Sequence, residues 1–332
     1  MNYRHGFHAG NFADVIKHIV LALIIEYLKK KSKPFRYIDT HAGCGLYDLH
    51  GDQATRTQEW ENGIGKLVTA KQLDTEDAQF DVVRSYLSII ADLNSGNDLQ
   101  FYPGSPLIAR ALLREHDRLI VNELHAEDCQ LLRSNFGRSK TSKVMNLDAW
   151  NFLRSPLPPP ERHGVILIDP PFEQPGEFDR MVQGLTAAAR RFATGIYLLW
   201  YPIKHPREVA RFKQSLVESG LKRLMAVEVF VTPFAEGAAL TGTGLLVHNP
   251  PFGIRDELAK LLPQLTKTLS QDPSASCEIE VLADEKWLKM PWTVGAGIQN
   301  ICPIYRQNFP ILLASCDTMT DSSAAETADR RD

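Results

Sequence analysis

Seven short apolar runs recur along the chain, and helical patterns separate most of them. The runs are "FRYIDT", "RLIVNE", "SKVMNLD", "GVILID", "GIYLLWYP", "LMAVEVFV" and "GTGLLVHNP". Runs in which neighbouring positions are both apolar fit strands covered on two faces. Stretches between them, such as "SPLIARALLREH" and "DRMVQGLTAAARRF", carry helical spacing. Strand–helix alternation with strands of this kind predicts an α/β fold, a parallel sheet lying between helical layers.

Two irregularities refine that expectation. The first strand ends near Thr40 and the second begins near Leu119, a gap far longer than the roughly 10–12 residues a crossover needs. It contains the helical pattern "DAQFDVVRSYLSIIADL", so residues 49–102 are expected to form an inserted helical subdomain. The link between the sixth and seventh runs, about Thr232 to Thr241, is too short for a crossover helix. A hairpin is expected there, which makes the last strand antiparallel. A seven-stranded, mostly parallel sheet with an antiparallel last strand is the sheet of Rossmann-like class I methyltransferases, which use S-adenosylmethionine. Residues 1–48 and 103–285 are expected to build that domain. Residues 286–332 are expected to form a C-terminal tail, disordered over "DTMTDSSAAETADRRD".

Composition excludes several classes. The 332 residues carry a net charge of −3, so the molecule is no polycation. The first 36 residues are an exception, with seven Lys or Arg against Asp14 and Glu26. The five cysteines are odd in number and lack metal-ligand spacing, which speaks against a disulfide framework or a zinc site. The N-terminal run "IVLALII" is much shorter than the roughly 20 residues that span a bilayer. A cytoplasmic monomer without metal or membrane attachment is expected.

Three strand ends carry polar groups suited to one ligand. "DTHAGCG" (39–45) follows the first strand as D-x-x-x-G-x-G, and Gly43 and Gly45 let backbone approach a ligand. The nicotinamide pattern G-x-G-x-x-G is missing. Glu123 ends the second strand, where an acid can bind both hydroxyls of an adenosine ribose, and Asp148 ends the third, where it can read an adenine amino group. "GVILIDPPFEQPG" (164–176) then closes the fourth strand on an acid, two prolines and an aromatic. An exocyclic amine on a base is a poor nucleophile because its lone pair is delocalised. The Asp169 carboxylate and the Pro170 carbonyl can each accept one of its N–H groups, and Phe172 offers a face for the base. The prolines fix these acceptors in advance. "NPPF" (249–252) ends the antiparallel strand, at the opposite sheet edge, so Asn249 is expected to be a decoy.

The segments "YRHGFHAGNFADVIKH", "DTHAGCG", "YPGSPLIAR", "NELH", "ILIDPPF" and "RFATGIYLLWYP" together resemble the bacterial 23S rRNA adenine-N6-methyltransferases (RlmJ), over about residues 2–285. The resemblance implies cofactor contacts from His18, His41, Ser105, Glu123, Asp148 and Ala149. It implies that Asp169 holds the adenine amino group and that Tyr3 touches substrate. Phe172 departs from the commoner Tyr, and Cys44 and Leu46 replace smaller or basic residues. Plainer readings stand beside these. His18 could pair with Asp14 four residues earlier on the helix, and His41 could cap the glycine turn. Arg4 and Lys17 could hold RNA phosphates, with His5 and His8, or only solvate a helix end. The expected function is N6-methylation of an adenosine in 23S rRNA, with S-adenosylmethionine as cofactor and free or hairpin RNA as partner. A guanine-N2 or DNA adenine-N6 methyltransferase is the alternative within enzymes. An RNA-binding module without catalysis is the alternative outside them.

Overall fold

A computed structural model of the chain describes residues 4–70, 77–96, 98–137, 139–234 and 240–284. Its strands in chain order are β1 (Arg36–Asp39), β2 (Leu46–Asp48), β3 (Phe101–Pro103), β4 (Arg118–Asn122), β5 (Ser142–Met145), β6 (Gly164–Ile168), β7 (Ile196–Ile203), β8 (Leu224–Phe230), β9 (Gly242–His248) and β10 (Ser276–Ala283). Eight of these form one sheet in the order β10-β8-β9-β7-β6-β1-β4-β5, and β2 and β3 form a separate ribbon. Strands β5, β4, β1, β6 and β7 pair in parallel. Strand β9 runs antiparallel between β7 and β8, as the short link predicts. This is the Rossmann-like class I arrangement.

The sheet corrects the expected strand count. The additional strand, β10, reads "SCEIEVLA" and pairs antiparallel with β8 at the sheet edge. Its acids Glu278 and Glu280 alternate with apolar residues, and most of the strand is half-buried. That is the pattern of an edge strand, not of the doubly covered runs that mark the inner strands of the sheet.

The helices are α1 (Phe12–Lys29), α2 (Asp52–Thr57), α3 (Ile64–Val68), α4 (Asp81–Ala91), α5 (Ser105–Leu112), α6 (Ala126–Phe136), α7 (Ala149–Phe152), α8 (Glu177–Arg191), α9 (Pro206–Glu218) and α10 (Ile254–Leu269). Successive strand residues point to opposite faces. Val165, Leu167, Leu198 and Val247 belong to the core shared with α1, α5 and α10. Ile166, Ile168, Leu199 and Leu246 belong to the core shared with α8 and α9. Helix α1 is buried continuously from Phe12 to Ile25, because α4 of the inserted region adds Val83, Tyr86 and Ile90 to the core around it. Asp14, Lys17 and His18 therefore lie inside the protein, where each must find a polar partner.

The region 49–102 carries α2, α3 and α4 and is tied off by the β2–β3 ribbon, Leu46 opposite Pro103. The described residues form one compact unit. The expected tail, residues 286–332, and Tyr3 lie outside the described residues. Register decides what meets at the upper edge of the sheet. Asp39 stands level with Leu167 and with Val121. The residues two further along each chain, His41, Glu123 and Asp169, therefore emerge side by side.

Candidate active site

A cleft of about 380 Å³ opens above those strand ends. His41, Gly43, Ser105, Glu123, Asp148, Ala149 and Asp169 all line it, with His18 and Lys17 from α1. Its floor is organised by Asp39, which is fully buried. This carboxylate accepts from the Tyr37 hydroxyl at 2.6 Å, the Ser105 hydroxyl at 2.7 Å and the His41 N–H at 3.1 Å. Burial pushes its carboxyl up to about 6. These bonds tie the start of α5 to the glycine turn.

Gly43 has φ of +59°, and a Cβ there would meet the Tyr47 hydroxyl oxygen at 2.0 Å. Its N–H donates to Glu123 Oε2 at 2.8 Å, and Glu123 Oε1 accepts from the His125 N–H at 2.7 Å. Burial raises the Glu123 carboxyl. A carboxylate oxygen accepts about two bonds, so each keeps capacity for a ligand hydroxyl. Asp148 caps α7 through Oδ1, which accepts from the Asn151 N–H at 2.9 Å. Its Oδ2 has no protein partner among the described residues. Gly45 has another role than the one expected. It lies outside the cleft lining, its carbonyl accepts from the Gly104 N–H at 2.8 Å, and a Cβ there would press on Leu132 Cδ1 at 2.9 Å. Its bareness serves packing against α6.

Asp169 stands at the other side of the cleft. The Lys17 ammonium donates to Asp169 Oδ2 at 2.5 Å and to Asp14 Oδ1 at 2.7 Å. The Lys17 side chain is only 4% exposed. Burial alone would lower its pKa, but Asp14 and Asp169 outweigh burial and raise it. Asp14 is also held by His5 at 2.9 Å and by the Gly10 N–H at 2.9 Å. Burial disfavours its charge, yet His5 and Lys17 hold its carboxyl well below the usual range. Asp169 Oδ1 has no protein partner among the described residues. Pro170 is buried, its carbonyl accepts from the Phe172 N–H at 3.1 Å, and Pro171 forms the cleft wall. Phe172 is half-buried and meets Phe178 and Trp200 edge-on, at centroid distances of 4.9 and 5.9 Å.

Residues 32–282 match the model of the family described as ribosomal RNA large subunit methyltransferase D, RlmJ. The chain belongs to this family. It is 42% identical over 269 residues to the ribosomal RNA large subunit methyltransferase J of Escherichia coli, covering 81% of this chain and 94% of that protein. It is 40% identical over 286 residues to the Haemophilus influenzae protein of the same description, covering 86% and 100%. The crystal structure of protein LPL1258 from Legionella pneumophila aligns with a TM-score of 0.74 at 34% identity, over 82% of this chain and 98% of that one.

A methyltransferase of the RlmJ family implies S-adenosylmethionine, and the cleft suits it. Glu123 keeps acceptor capacity for ribose hydroxyls, Asp148 Oδ2 is an acceptor at the cleft rim, and bare backbone at Gly43 admits close approach. Among the described residues, no helix is long and apolar enough to cross a membrane and no cluster of three metal-ligating side chains occurs.

Two expectations for this RlmJ-family chain, those for Lys17 and Arg4, are revised by the contacts, and so is the plainer reading of His18. His18 bonds the Tyr102 hydroxyl at 2.8 Å, not Asp14, and burial lowers its pKa to about 3. Lys17 is a buried ion-pair partner, its ammonium shared between Asp14 and Asp169. Arg4 pairs with Asp128 at 2.9 Å and with Glu127, so its guanidinium already faces two carboxylates. His41 shares a hydrogen bond with the Thr40 hydroxyl at 2.7 Å, and burial lowers its pKa to about 4. Asn249 caps the opposite edge: its side chain donates to the Ala193 and Gly195 carbonyls, both at 2.8 Å, and β9 ends beside the start of β7, Tyr197 opposite His248. Sequence reasoning passed over Asp14 as a partner of Lys17. The signal was available, because residues three apart on a helix are neighbours.

Proposed function

We propose that this methyltransferase modifies N6 of an adenosine in 23S rRNA. The observation that carries the reading is the placement of Asp169: its Oδ2 is fixed by Lys17, and its Oδ1 is left for a ligand in the same cleft as Gly43, Glu123 and Asp148. Glu123 would bind the cofactor ribose, Asp148 and Ala149 its adenine, and His18, His41 and Ser105 the remaining wall. S-adenosylmethionine supplies the electrophilic methyl group.

The chain's own residues do the rest. Asp169 Oδ1 accepts one amino N–H, and the second lone pair of the Pro170 carbonyl accepts the other. Two acceptors on one NH₂ favour a more pyramidal nitrogen and stabilise the positive charge that grows as it attacks. The nitrogen returns to neutrality by losing one N–H proton, and Asp169 Oδ1 is the acceptor already on it. Phe172, braced by Phe178 and Trp200, is the surface for the flipped base. Flipping costs a few kcal/mol, and neighbouring RNA and protein in an assembled particle add to it. Free 23S rRNA or a hairpin from it is therefore the expected substrate. Purified chain should methylate free 23S rRNA faster than intact large subunits. Efficient methylation of subunits with none of the free RNA would contradict this. The guanine-N2 alternative is separated by which nucleoside carries the label.

A further inference from the structure

The cleft that reads one adenine is a poor bed for the rest of a strand. Its lining carries six carboxylates against Lys17 and Arg180, and both of those cations are ion-paired. The whole chain is at −3. Arg4 is closed on Glu127 and Asp128. A bound polyanion needs positive contacts from another surface.

A second groove adjoins the cleft. It is a depression of about 190 Å³ between the turn after α7 and one stripe of α8. Arg180, Gly184, Ala187 and Arg191 recur at helical spacing along that stripe, and Arg154 joins from the turn. At about 1.5 Å per residue the stripe runs roughly 16 Å, the reach of several phosphates at about 3.4 Å of rise each. The groove shares Trp150 and Arg180 with the main cleft, so the two are continuous. Gly184 makes the junction, because a Cβ there would meet the Trp150 ring at 2.4 Å. Among the described residues, no acid lines the groove. Arg154 has no ion-pair partner among the described residues, and Arg191 donates through Nε to the Leu157 carbonyl at 3.2 Å. An arginine carries about five N–H donors, so most of this fork remains.

We propose that this groove holds the RNA backbone flanking the flipped adenosine, with Arg154 and Arg191 on phosphates and Trp150 beneath a neighbouring base. This rests on the rRNA reading above. It also assigns to the turn after α7 and to α8 the phosphate contacts that Arg4 and Lys17 do not supply.

The test is filter binding of transcribed 23S rRNA across a salt series, beside methylation kinetics. Each phosphate contact contributes roughly 0.7–1 to the slope of log affinity against log salt. Arg154→Gln/Arg191→Gln should therefore flatten the slope by about 1.4–2. It should also raise KM for RNA, with the affinity for S-adenosylmethionine held. Arg154→Lys/Arg191→Lys should keep the wild-type slope, which separates lost charge from lost fold. Lys31→Gln/Lys33→Gln, beyond the far end of α1, should keep it too. A wild-type slope in the Gln pair, with 23S rRNA still methylated, overturns the groove alone. So does an equal loss in the Lys31/Lys33 variant. No methylation of 23S rRNA by the wild-type chain overturns the underlying reading and the groove with it.

Discussion

The Lys17 ammonium and the Asp169 carboxylate meet at 2.5 Å, joining the first helix to the end of β6 across 152 residues of sequence. The same ammonium meets Asp14 at 2.7 Å. A buried cation thus fixes one oxygen of the acid that ends the central strand, and the first helix is a part of the site.

Removing that cation tests its structural weight. Lys17→Met leaves the buried Asp14 with His5 and the Gly10 N–H as hydrogen-bond partners among the described residues. Breaking a buried pair from one side costs about 3–5 kcal/mol. Urea unfolding near neutral pH should show a loss of that size, together with lower turnover. A loss no larger than an exposed pair gives, about 1 kcal/mol or less, would mean that Asp14 is satisfied without Lys17.

The buried histidine on the same helix sets a pH dependence. His18 is 1% exposed and its pKa is lowered to about 3, below its unfolded value of 6.5. The folded state then binds fewer protons, so this contribution is present above pH 6.5 and falls as pH drops below it. At about pH 5 the loss from one such group is roughly 2 kcal/mol. His18→Gln, which can still bond Tyr102, should flatten the decline between neutral pH and about pH 5 by that order. An acid limb identical in both proteins would remove His18 as its source.

The two glycines of the turn should separate by phenotype. Gly43→Ala places a Cβ against the Tyr47 hydroxyl inside the cleft, whereas Gly45→Ala presses on Leu132 outside it. Both carry a left-handed backbone penalty of about 1–2 kcal/mol. Calorimetry should find S-adenosylmethionine bound about tenfold more weakly, or worse, by Gly43→Ala. Gly45→Ala should lower Tm with a smaller change in affinity. The reverse order would exchange the roles assigned to them.

The two tetrapeptides make a paired experiment. Asp169→Asn should cost roughly 10²–10³ or more in turnover, the usual loss for one preorganised electrostatic contact, while sparing cofactor binding. Asn249→Ala loses bonds to the Ala193 and Gly195 carbonyls and strains a residue at φ +57°. Stability should fall by about 1–2 kcal/mol with turnover kept. Equal losses of turnover would contradict the placement of Asn249 at the far edge.

Much of this was legible because the inner strands of the sheet obey one physical rule. Strands covered on both faces read as unbroken apolar runs, and β6 is buried at all of its residues. The carboxylates Glu123, Asp148 and Asp169 stood out as charges ending such runs. Strand β10 alternates the acids Glu278 and Glu280 with apolar residues, which hides it from that rule. Charge counting cannot tell a solvated lysine from Lys17, enclosed by an insertion some sixty residues later in the chain, nor an arginine free for phosphate from Arg4, which pairs with Glu127 and Asp128 of α6. Gly45 looked like Gly43 in the motif, and only the packing of Leu132 separates them.

The most direct measurement of the central claim uses free 23S rRNA, methyl-labelled S-adenosylmethionine and the purified chain, followed by digestion to nucleosides and mass spectrometry. The label is predicted in N6-methyladenosine, mapping to one site, and lost with Asp169→Asn. Label in N2-methylguanosine, or N6-methyladenosine formed equally well by Asp169→Asn, would contradict the account.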